Sequence, residues 1–331
     1  MKLATFDSGG GPRLGAVIDD DQRLIDLGGA FHRRHGRSEA ALDSMLALID
    51  AGEAGRAVAD ALVADPPEED VTPLPLAAHA APVAGTPPVP RAAARLLAPL
   101  PEPRQIRDFL CFEEHLRNSF AQAERRTGRR FEIPEVWYEQ PIYYKANRFS
   151  VVGPEADVVW PHYAELLDYE LELACVVGTG GVDIARDDAL RHVFGWTIFN
   201  DVSARDAQLR EMVGQLGPAK GKDFDTGNVL GPWIVTADEI GDPQALTMVA
   251  RVNGEEWSRG TSAAMHHTFA DVIAFVSQSE TLHPGEVLGS GTVGTGCGLE
   301  QGRYLSPGDI VELEIEKIGV LRNRITRKDR T

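Results

Sequence analysis

The strongest constraint on the fold is a pair of glutamates, Glu170 and Glu172, within a stretch (168–178) that otherwise has the composition of a buried β-strand. Side chains alternate between the two faces of a strand, so both carboxylates share one face while Leu171 and Leu173 occupy the other. Burying two like charges side by side is costly, and proteins tolerate it when a cation or a basic partner compensates. If this face is buried, the fold must bring positive charge to it.

A third acidic residue has a similar position further along the chain. Asp201 closes a second apolar strand, 194–200, and a cluster of polar residues follows it. Three carboxylates at strand positions are typical of an oxygen-ligated divalent metal site. The alternative is that Glu170 and Glu172 line the solvent-facing side of an antiparallel sheet, which is a common arrangement. The pattern alone leaves both interpretations open.

The composition is that of an ordinary soluble globular protein. The chain has 331 residues, of which 43% are hydrophobic and 25% charged, and this length suits one large domain or a large and a small one. No apolar run approaches the ~20 residues that a membrane-spanning helix requires. Residues 1–7 also lack the basic and apolar segments of a signal peptide. We therefore predict a cytoplasmic protein that does not enter a membrane.

Charge and cysteine content exclude two further classes. The net charge of −17, from 50 acidic and 33 basic residues, repels phosphate backbones, and nucleic-acid binding is not expected. Three widely spaced cysteines without a Cys-x-x-Cys pair indicate reduced thiols rather than a disulfide framework or a zinc cluster. Cys175 lies in the apolar strand, which favours a core residue over a nucleophile.

The sequence divides into three parts. Residues 1–70 carry short strand patterns and then helical spacing over 38–64, which predicts a small, mostly β N-terminal domain. Residues 71–103 are rich in Pro and Ala and form a predicted connector. Residues 104–331 show no repeating strand–helix order, which favours an α+β fold with a large mixed β-roll over a doubly wound sheet. Predicted elements are strands at 3–6, 13–18, 23–27, 142–145, 171–177, 194–200, 232–236, 247–252 and 309–316, with helices near 113–127 and 268–279.

Several motifs in the third part together carry a family resemblance. In chain order they are Arg107-Asp108-Phe109 with His115, Glu170-Leu171-Glu172, Asn200-Asp201-Val202-Ser203-Ala204-Arg205-Asp206, Lys220-Gly221-Lys222-Asp223-Phe224 and Gly289-Ser290-Gly291-Thr292. Over most of residues 104–323 the chain resembles the fumarylacetoacetate hydrolase (FAH) family, in its longer fumarylacetoacetase-like form with an N-terminal domain. The Asn-Asp-Val-Ser-Ala-Arg-Asp block after a Glu-x-Glu strand is highly specific.

The resemblance implies a divalent cation held by four carboxylates. The matching positions are Asp108, Glu170, Glu172 and Asp201. Mg²⁺ is the expected ion, with Ca²⁺ and Mn²⁺ as alternatives, because hard cations prefer oxygen ligands.

The resemblance also implies a histidine base, His115, that is oriented by a glutamate. Glu300 is the counterpart in the longer family members, whereas short acylpyruvase-type members place the glutamate three residues after the histidine, where this chain has Asn118. By the same resemblance, Arg205, Gln208 and Lys222 are expected to stabilise an oxyanion. Thr292 is expected to bind the substrate because it lies in the Gly-rich loop 289–296, and Tyr144 because it follows Gln140-Pro141-Ile142.

The same residues also have purely structural interpretations. Asp108 could cap a helix over 109–120, His115 could be an ordinary surface or packed histidine, and Glu300 could be an exposed turn residue. The ordered set of motifs favours the functional interpretation. The family's substrate-carboxylate arginine has no clean match, so the exact diketo acid stays open.

We therefore predict a metal-dependent hydrolase that cleaves a C–C bond in a fumarylacetoacetate-like or acylpyruvate-like diketo acid from aromatic-compound catabolism. The resemblance further implies a homodimer formed through the large domain. The alternative is a metal-dependent decarboxylase or isomerase of a 2-oxo (enol) acid, which uses the same enolate-stabilising ion but needs no activated water. A non-catalytic metal-binding scaffold is the third possibility.

Overall fold

The computed structural model describes residues 1–74 and 94–328 as an α+β fold built on one long mixed sheet. The strands are β1 (Lys2–Asp7), β2 (Arg13–Ile18), β3 (Arg23–Asp26), β4 (Val71–Pro73), β5 (Arg95–Leu96), β6 (Ile106–Phe109), β7 (Tyr143–Ala146), β8 (Val151–Val152), β9 (Asp157–Val159), β10 (Leu167–Asp168), β11 (Leu171–Val177), β12 (Val193–Asp201), β13 (Ser203–Ala204), β14 (Asn228–Thr236), β15 (Thr247–Val252), β16 (Glu255–Thr261), β17 (Val287–Gly289), β18 (Ile310–Ile315) and β19 (Gly319–Thr326). The α-helices are α1 (Leu27–His35), α2 (Met45–Ala64), α3 (Glu113–Thr127), α4 (Glu135–Glu139), α5 (Arg205–Met212), α6 (Ala237–Ile240), α7 (Phe269–Val276) and α8 (Gly298–Gln301).

Strand pairing defines the architecture of the described residues. A twelve-stranded sheet follows the order β4-β3-β2-β1-β14-β12-β11-β17-β6-β7, with β5 beside β1 and β8 beside β14. A five-stranded sheet has the order β16-β15-β18-β19-β9, and β10 pairs with β13. Because this order contains no repeating strand–helix unit, the predicted α+β class is confirmed.

The N-terminal strands continue the sheet of the larger part of the chain, residues 104–328. β1 pairs antiparallel with β14, with Leu3 opposite Ile234. Both side chains are buried in one hydrophobic cluster, which also contains Leu48 from α2 and Ile106 from β6. Residues 1–70 therefore share backbone hydrogen bonds and core with the strands that follow.

Most predicted elements of the third part are present, and one structural alternative is wrong. The helices predicted near 113–127 and 268–279 are α3 and α7, while the strand predicted at 232–236 is only the second half of β14. Asp108 does not cap a helix, because it lies in β6 and α3 begins at Glu113.

Helix α1 is one of several elements that the sequence pattern does not predict, together with α5, β16 and β19. Gly28 and Gly29 suggest a turn, but the Asp26 side chain accepts a hydrogen bond from the Gly29 amide at 3.0 Å and caps a helix. Gly36 ends this helix with a φ of +68°. The predicted helical spacing over 38–64 corresponds to α2, which Gly52 interrupts with a φ of +57°.

The domain boundaries at 70 and 103 stay predictions. Residues 75–93 of the predicted connector lie outside the described residues, and at its two ends β4 pairs with β3 and β5 pairs with β1. Within 1–74 and 94–328, no helix combines the length and the apolar character needed to cross a bilayer.

We expect Leu3→Ala to destabilise the sheet of the larger part, and not only residues 1–70. Leu3 is 1% exposed, and burial losses of this kind cost about 2–5 kcal/mol. All five tryptophans lie between residues 137 and 257, so tryptophan fluorescence during denaturant unfolding follows the larger part, and Trp233 also contacts Lys2 of β1. A lower transition midpoint is expected, with exposed Glu53→Ala as an unchanged control. A tryptophan transition that Leu3→Ala leaves in place would show that the two parts unfold separately.

Candidate metal and active site

Four buried carboxylates converge where β12, β11, β17 and β6 lie side by side. Asp108 lies in β6, Glu172 in β11 and Asp201 at the end of β12, while Glu170 directly precedes β11. One oxygen from each lies within 4.8 Å of the others. The structure thus brings together the four residues that the sequence predicted as metal ligands.

Gly289 in β17 makes room for this convergence. β17 lies between β6 and β11, and Gly289 pairs with Asp108 on one side and with Ala174 on the other. A Cβ atom at Gly289 would lie 2.7 Å from Oδ1 of Asp108 and 2.8 Å from Oε2 of Glu172. The carboxylates of Asp108 and Glu172 therefore occupy, from opposite sides, the space that a side chain at position 289 would fill.

Two buried cations face the carboxylates. Nζ of Lys222 donates to Oε2 of Glu170 at 2.6 Å and to Oδ2 of Asp201 at 2.5 Å. Nη2 of Arg205 donates to Oε1 of Glu170 at 2.7 Å, and its Nε donates to Asp168 at 2.9 Å. Lys222 and Arg205 therefore supply the positive charge that compensates the buried carboxylate of Glu170.

The pKa values of the four carboxylates are shifted in different directions. Burial and the charge of Asp201 raise the pKa of Asp108 well above its ordinary value. Burial and the charge of Asp108 do the same to the pKa of Glu172, and burial raises the pKa of Asp201. Burial also acts to raise the pKa of Glu170, but the two cations outweigh it and hold that pKa below its ordinary value. Three of the four carboxylates are therefore poorly compensated by the protein alone.

The donor set fits a divalent cation. Oδ1 of Asp108, Oε1 of Glu172 and Oδ1 of Asp201 are buried, and none has a hydrogen-bond partner among the described residues. Leaving such oxygens without a partner costs free energy, and a bound cation removes that cost. Carboxylate oxygens are the preferred ligands of Mg²⁺, Ca²⁺ and Mn²⁺.

His115 and Glu300 form a buried pair next to this cluster. Nδ1 of His115, in α3, lies 2.9 Å from Oε1 of Glu300, in α8. The second oxygen of Glu300 accepts hydrogen bonds from Asn118 at 2.9 Å and from the Thr295 amide at 2.7 Å. The interpretation of Glu300 as an exposed turn residue is therefore wrong, and His115 is a packed residue rather than a surface one, with Glu300 as its partner.

Asp168 is a site residue that the sequence argument did not single out. It accepts hydrogen bonds from Nε of Arg205 at 2.9 Å and from the amides of Gly298 and Leu299 at 2.8 and 2.9 Å. It therefore connects α8, which carries Glu300, to the arginine that contacts Glu170. The available signal was the strand alternation itself, since positions 168, 170 and 172 have the same parity.

The remaining predicted residues lie around the cluster. Tyr144 donates its hydroxyl to Oδ2 of Asp201 at 2.7 Å. Gln208 accepts a hydrogen bond through Oε1 from Nη1 of Arg205 at 3.0 Å. Thr292 is buried, with its methyl group beside Gly296. The roles of these residues toward a substrate stay predictions.

Comparison with known sequences finds oxaloacetate tautomerases among the relatives. The bovine mitochondrial FAHD2A is 31% identical over 334 residues, which cover 98% of this chain and 91% of the relative. The human mitochondrial FAHD2A is 42% identical over 188 residues, which cover 56% of this chain and 59% of the human protein. The second alignment thus spans less than two thirds of the human protein.

Comparison with solved structures identifies the same fold. Maleylpyruvate hydrolase from Sphingobium sp. SYK-6, solved with a manganese(II) ion and pyruvate, superposes with a TM-score of 0.71 at 24% identity. The match covers 99% of this chain and 100% of that chain, and at this identity it establishes the fold.

A family model agrees with both comparisons. The model described as "Fumarylacetoacetate (FAA) hydrolase C-terminal" matches residues 104–326, more than half of the chain, and the bovine relative aligns along nearly all of it. As its motifs predicted, the chain belongs to the fumarylacetoacetate hydrolase family.

Proposed function

We propose that the protein is a divalent-metal-dependent hydrolase that cleaves a C–C bond in a fumarylacetoacetate-like or acylpyruvate-like diketo acid. The observation that carries the proposal is the buried His115–Glu300 pair, with its 2.9 Å contact, and its connection through Asp168 and Arg205 to Glu170 of the four-carboxylate cluster. Hydrolysis of a 1,3-diketone requires a base for water, a polarised carbonyl and a stabilised enolate. The two adjoining groups of residues suit these requirements.

Glu300 prepares His115 to accept a proton. An ionised carboxylate can only accept a hydrogen bond, so the contact with Oε1 of Glu300 favours the tautomer of His115 that carries its proton on Nδ1, which leaves the lone pair of Nε2 available for water. Asn118 and the Thr295 amide hold Oε2 of Glu300, so the carboxylate cannot turn away from the ring. A positioned base of this kind contributes about 10²–10⁴ in rate.

The carboxylate cluster would hold the cation through Asp108, Glu170, Glu172 and Asp201. A bound Mg²⁺, or Ca²⁺ or Mn²⁺ in its place, supplies Lewis-acid polarisation of substrate oxygens and stabilises the enolate.

The surrounding polar residues would position the substrate and its developing charge. Arg205 fixes Oε1 of Gln208 and thereby orients the Gln208 amide group as an oxyanion donor. Lys222, which contacts Glu170 and Asp201, would add positive charge near the oxyanion. Tyr144 and Thr292 would contact the substrate.

Tautomerisation of a 2-oxo acid is a second candidate. The observation that favours it is the alignment of the bovine oxaloacetate tautomerase along 98% of the chain. Such a reaction uses the same enolate chemistry, but it does not consume water. A homodimer, a cytoplasmic location and a place in aromatic catabolism stay predictions under either candidate.

A panel of acylpyruvates and related diketo acids tests the proposal directly. We expect loss of the diketone absorbance with Mg²⁺ and no loss after treatment with EDTA, with recovery when Mg²⁺ is restored. Turnover that survives complete chelation would contradict the metal-dependent hydrolase. Activity on oxaloacetate enol alone would favour the tautomerase.

The variant His115→Ala separates the two candidates. Hydrolysis should fall by about 10²–10⁴, because no residue then takes the proton from water, whereas tautomerisation should fall much less. Exposed His283→Ala serves as a matched control and should retain both rates. Equal losses of the two activities in His115→Ala, measured as kcat, would count against the assignment of His115 as the water-activating base.

The variant Gly289→Ala should weaken cation binding without a direct change of any ligand. The added methyl group would lie 2.7 Å and 2.8 Å from oxygens of Asp108 and Glu172, so both carboxylates must move apart. We expect at least about a tenfold loss of Mn²⁺ affinity by calorimetry, comparable to disturbing the support of metal ligands. Gly10→Ala, at a position with open space around the added atom, is the control, and unchanged affinity in Gly289→Ala would place the ion elsewhere.

A further inference from the structure

A second group of metal-ligating atoms lies beside the carboxylate cluster. Oε1 of Glu300 is 2.9 Å from Nδ1 of His115 and 3.5 Å from Sγ of Cys297, and the sulfur is 3.9 Å from the same ring nitrogen. All three residues are buried. Tetrahedral zinc, with bonds of about 2.0–2.3 Å, places its ligand atoms about 3.3–3.6 Å apart, so each observed distance needs to change by no more than about 0.5 Å.

The chemistry of this group differs from that of the carboxylate cluster. Four carboxylates select hard cations, whereas an imidazole, a thiolate and one carboxylate form a donor set typical of Zn²⁺. Asn118 and the Thr295 amide hold the other oxygen of Glu300. They thus provide the outer support that orients a ligating carboxylate and leave Oε1 directed at the ring and the sulfur.

We propose that His115, Cys297 and Glu300 form a Zn²⁺ site whose occupation inhibits the enzyme while the carboxylate cluster keeps its own ion. On binding, the thiol proton leaves to solvent and the ring proton moves from Nδ1 to Nε2. The nitrogen that accepts a proton from water then has no free lone pair. The inhibitory part rests on the proposed function, whereas the binding of zinc does not.

Binding is tested with Cd²⁺, a zinc analogue whose bond to a thiolate gives an ultraviolet charge-transfer band. The full chain is saturated with Mg²⁺ and titrated with Cd²⁺, and we expect the band to saturate at one ion per chain. Cys297→Ser should abolish the band. Cys175→Ala is the matched control, because it removes an equally buried thiol in β11, and it should keep the band.

Inhibition is tested with Zn²⁺ in the presence of excess Mg²⁺, with each variant compared to its own uninhibited rate. Cys297→Ser should raise the half-inhibitory Zn²⁺ concentration by at least about 100-fold, since loss of a direct ligand exceeds the effect of outer-support changes. Cys175→Ala should keep the sensitivity of the unaltered chain.

Several outcomes would overturn the zinc site. The first is the absence of a Cd²⁺ band in the unaltered chain, and the second is a band of equal strength in Cys297→Ser. The third is Zn²⁺ inhibition that excess Mg²⁺ relieves equally in the unaltered chain and in Cys297→Ser. If Cys297→Ser does not fold by circular dichroism, Glu300→Gln with the thiol intact must weaken the band, and a band of unchanged affinity there rejects the site. A chain that binds Cd²⁺ through Cys297 but cleaves no diketo acid would keep the zinc site and remove the proposed function.

Discussion

The burial of four carboxylates against two cations is the constraint on which the site depends. Lys222 and Arg205 compensate Glu170 directly, and both lie almost entirely out of solvent. Oxygens of the other three carboxylates remain without a partner among the described residues, and their pKa values are raised because burial penalises their charge. Such an excess of buried negative charge costs stability in the protein alone. It is retained where a cation supplies the balance.

The sheet fixes the positions of the four carboxylates relative to one another. Three of the carboxylates project from β6, β11 and β12, and the fourth directly precedes β11, so their separation is set by strand register rather than by mobile loops. Gly289 lets the carboxylates of β6 and β11 meet across β17. The N-terminal strands extend the same sheet from β14, which joins residues 1–70 to the element that carries the site.

Local patterns predicted most of what lies within one strand or one motif. Glu170 and Glu172 were recognisable because strand alternation puts them on one face, and the motif order assigned Asp108, Asp201 and the His115–Glu300 pair that the structure brings together. The interactions that the sequence did not reveal cross long separations or depend on a missing side chain. Asp168 contacts the amide of Gly298 130 residues away, and the importance of Gly289 follows only from the pairing of β17. Helix α1 was missed because a cap by Asp26 overrides two glycines that favour a turn.

The hydrogen bonds of Asp168 have a mechanical consequence for the whole site. The carboxylate of Asp168 accepts hydrogen bonds both from helix α8, which carries Glu300, and from the guanidinium of Arg205, which donates to Glu170. If the cluster binds an ion and His115 acts as the base, as proposed, a movement of Asp168 on ion binding would reach Glu300, and a change at Glu300 would alter the ion affinity by the same free energy, because linkage between two sites is reciprocal. Under the proposed function, water activation and ion binding would then depend on each other through this one carboxylate.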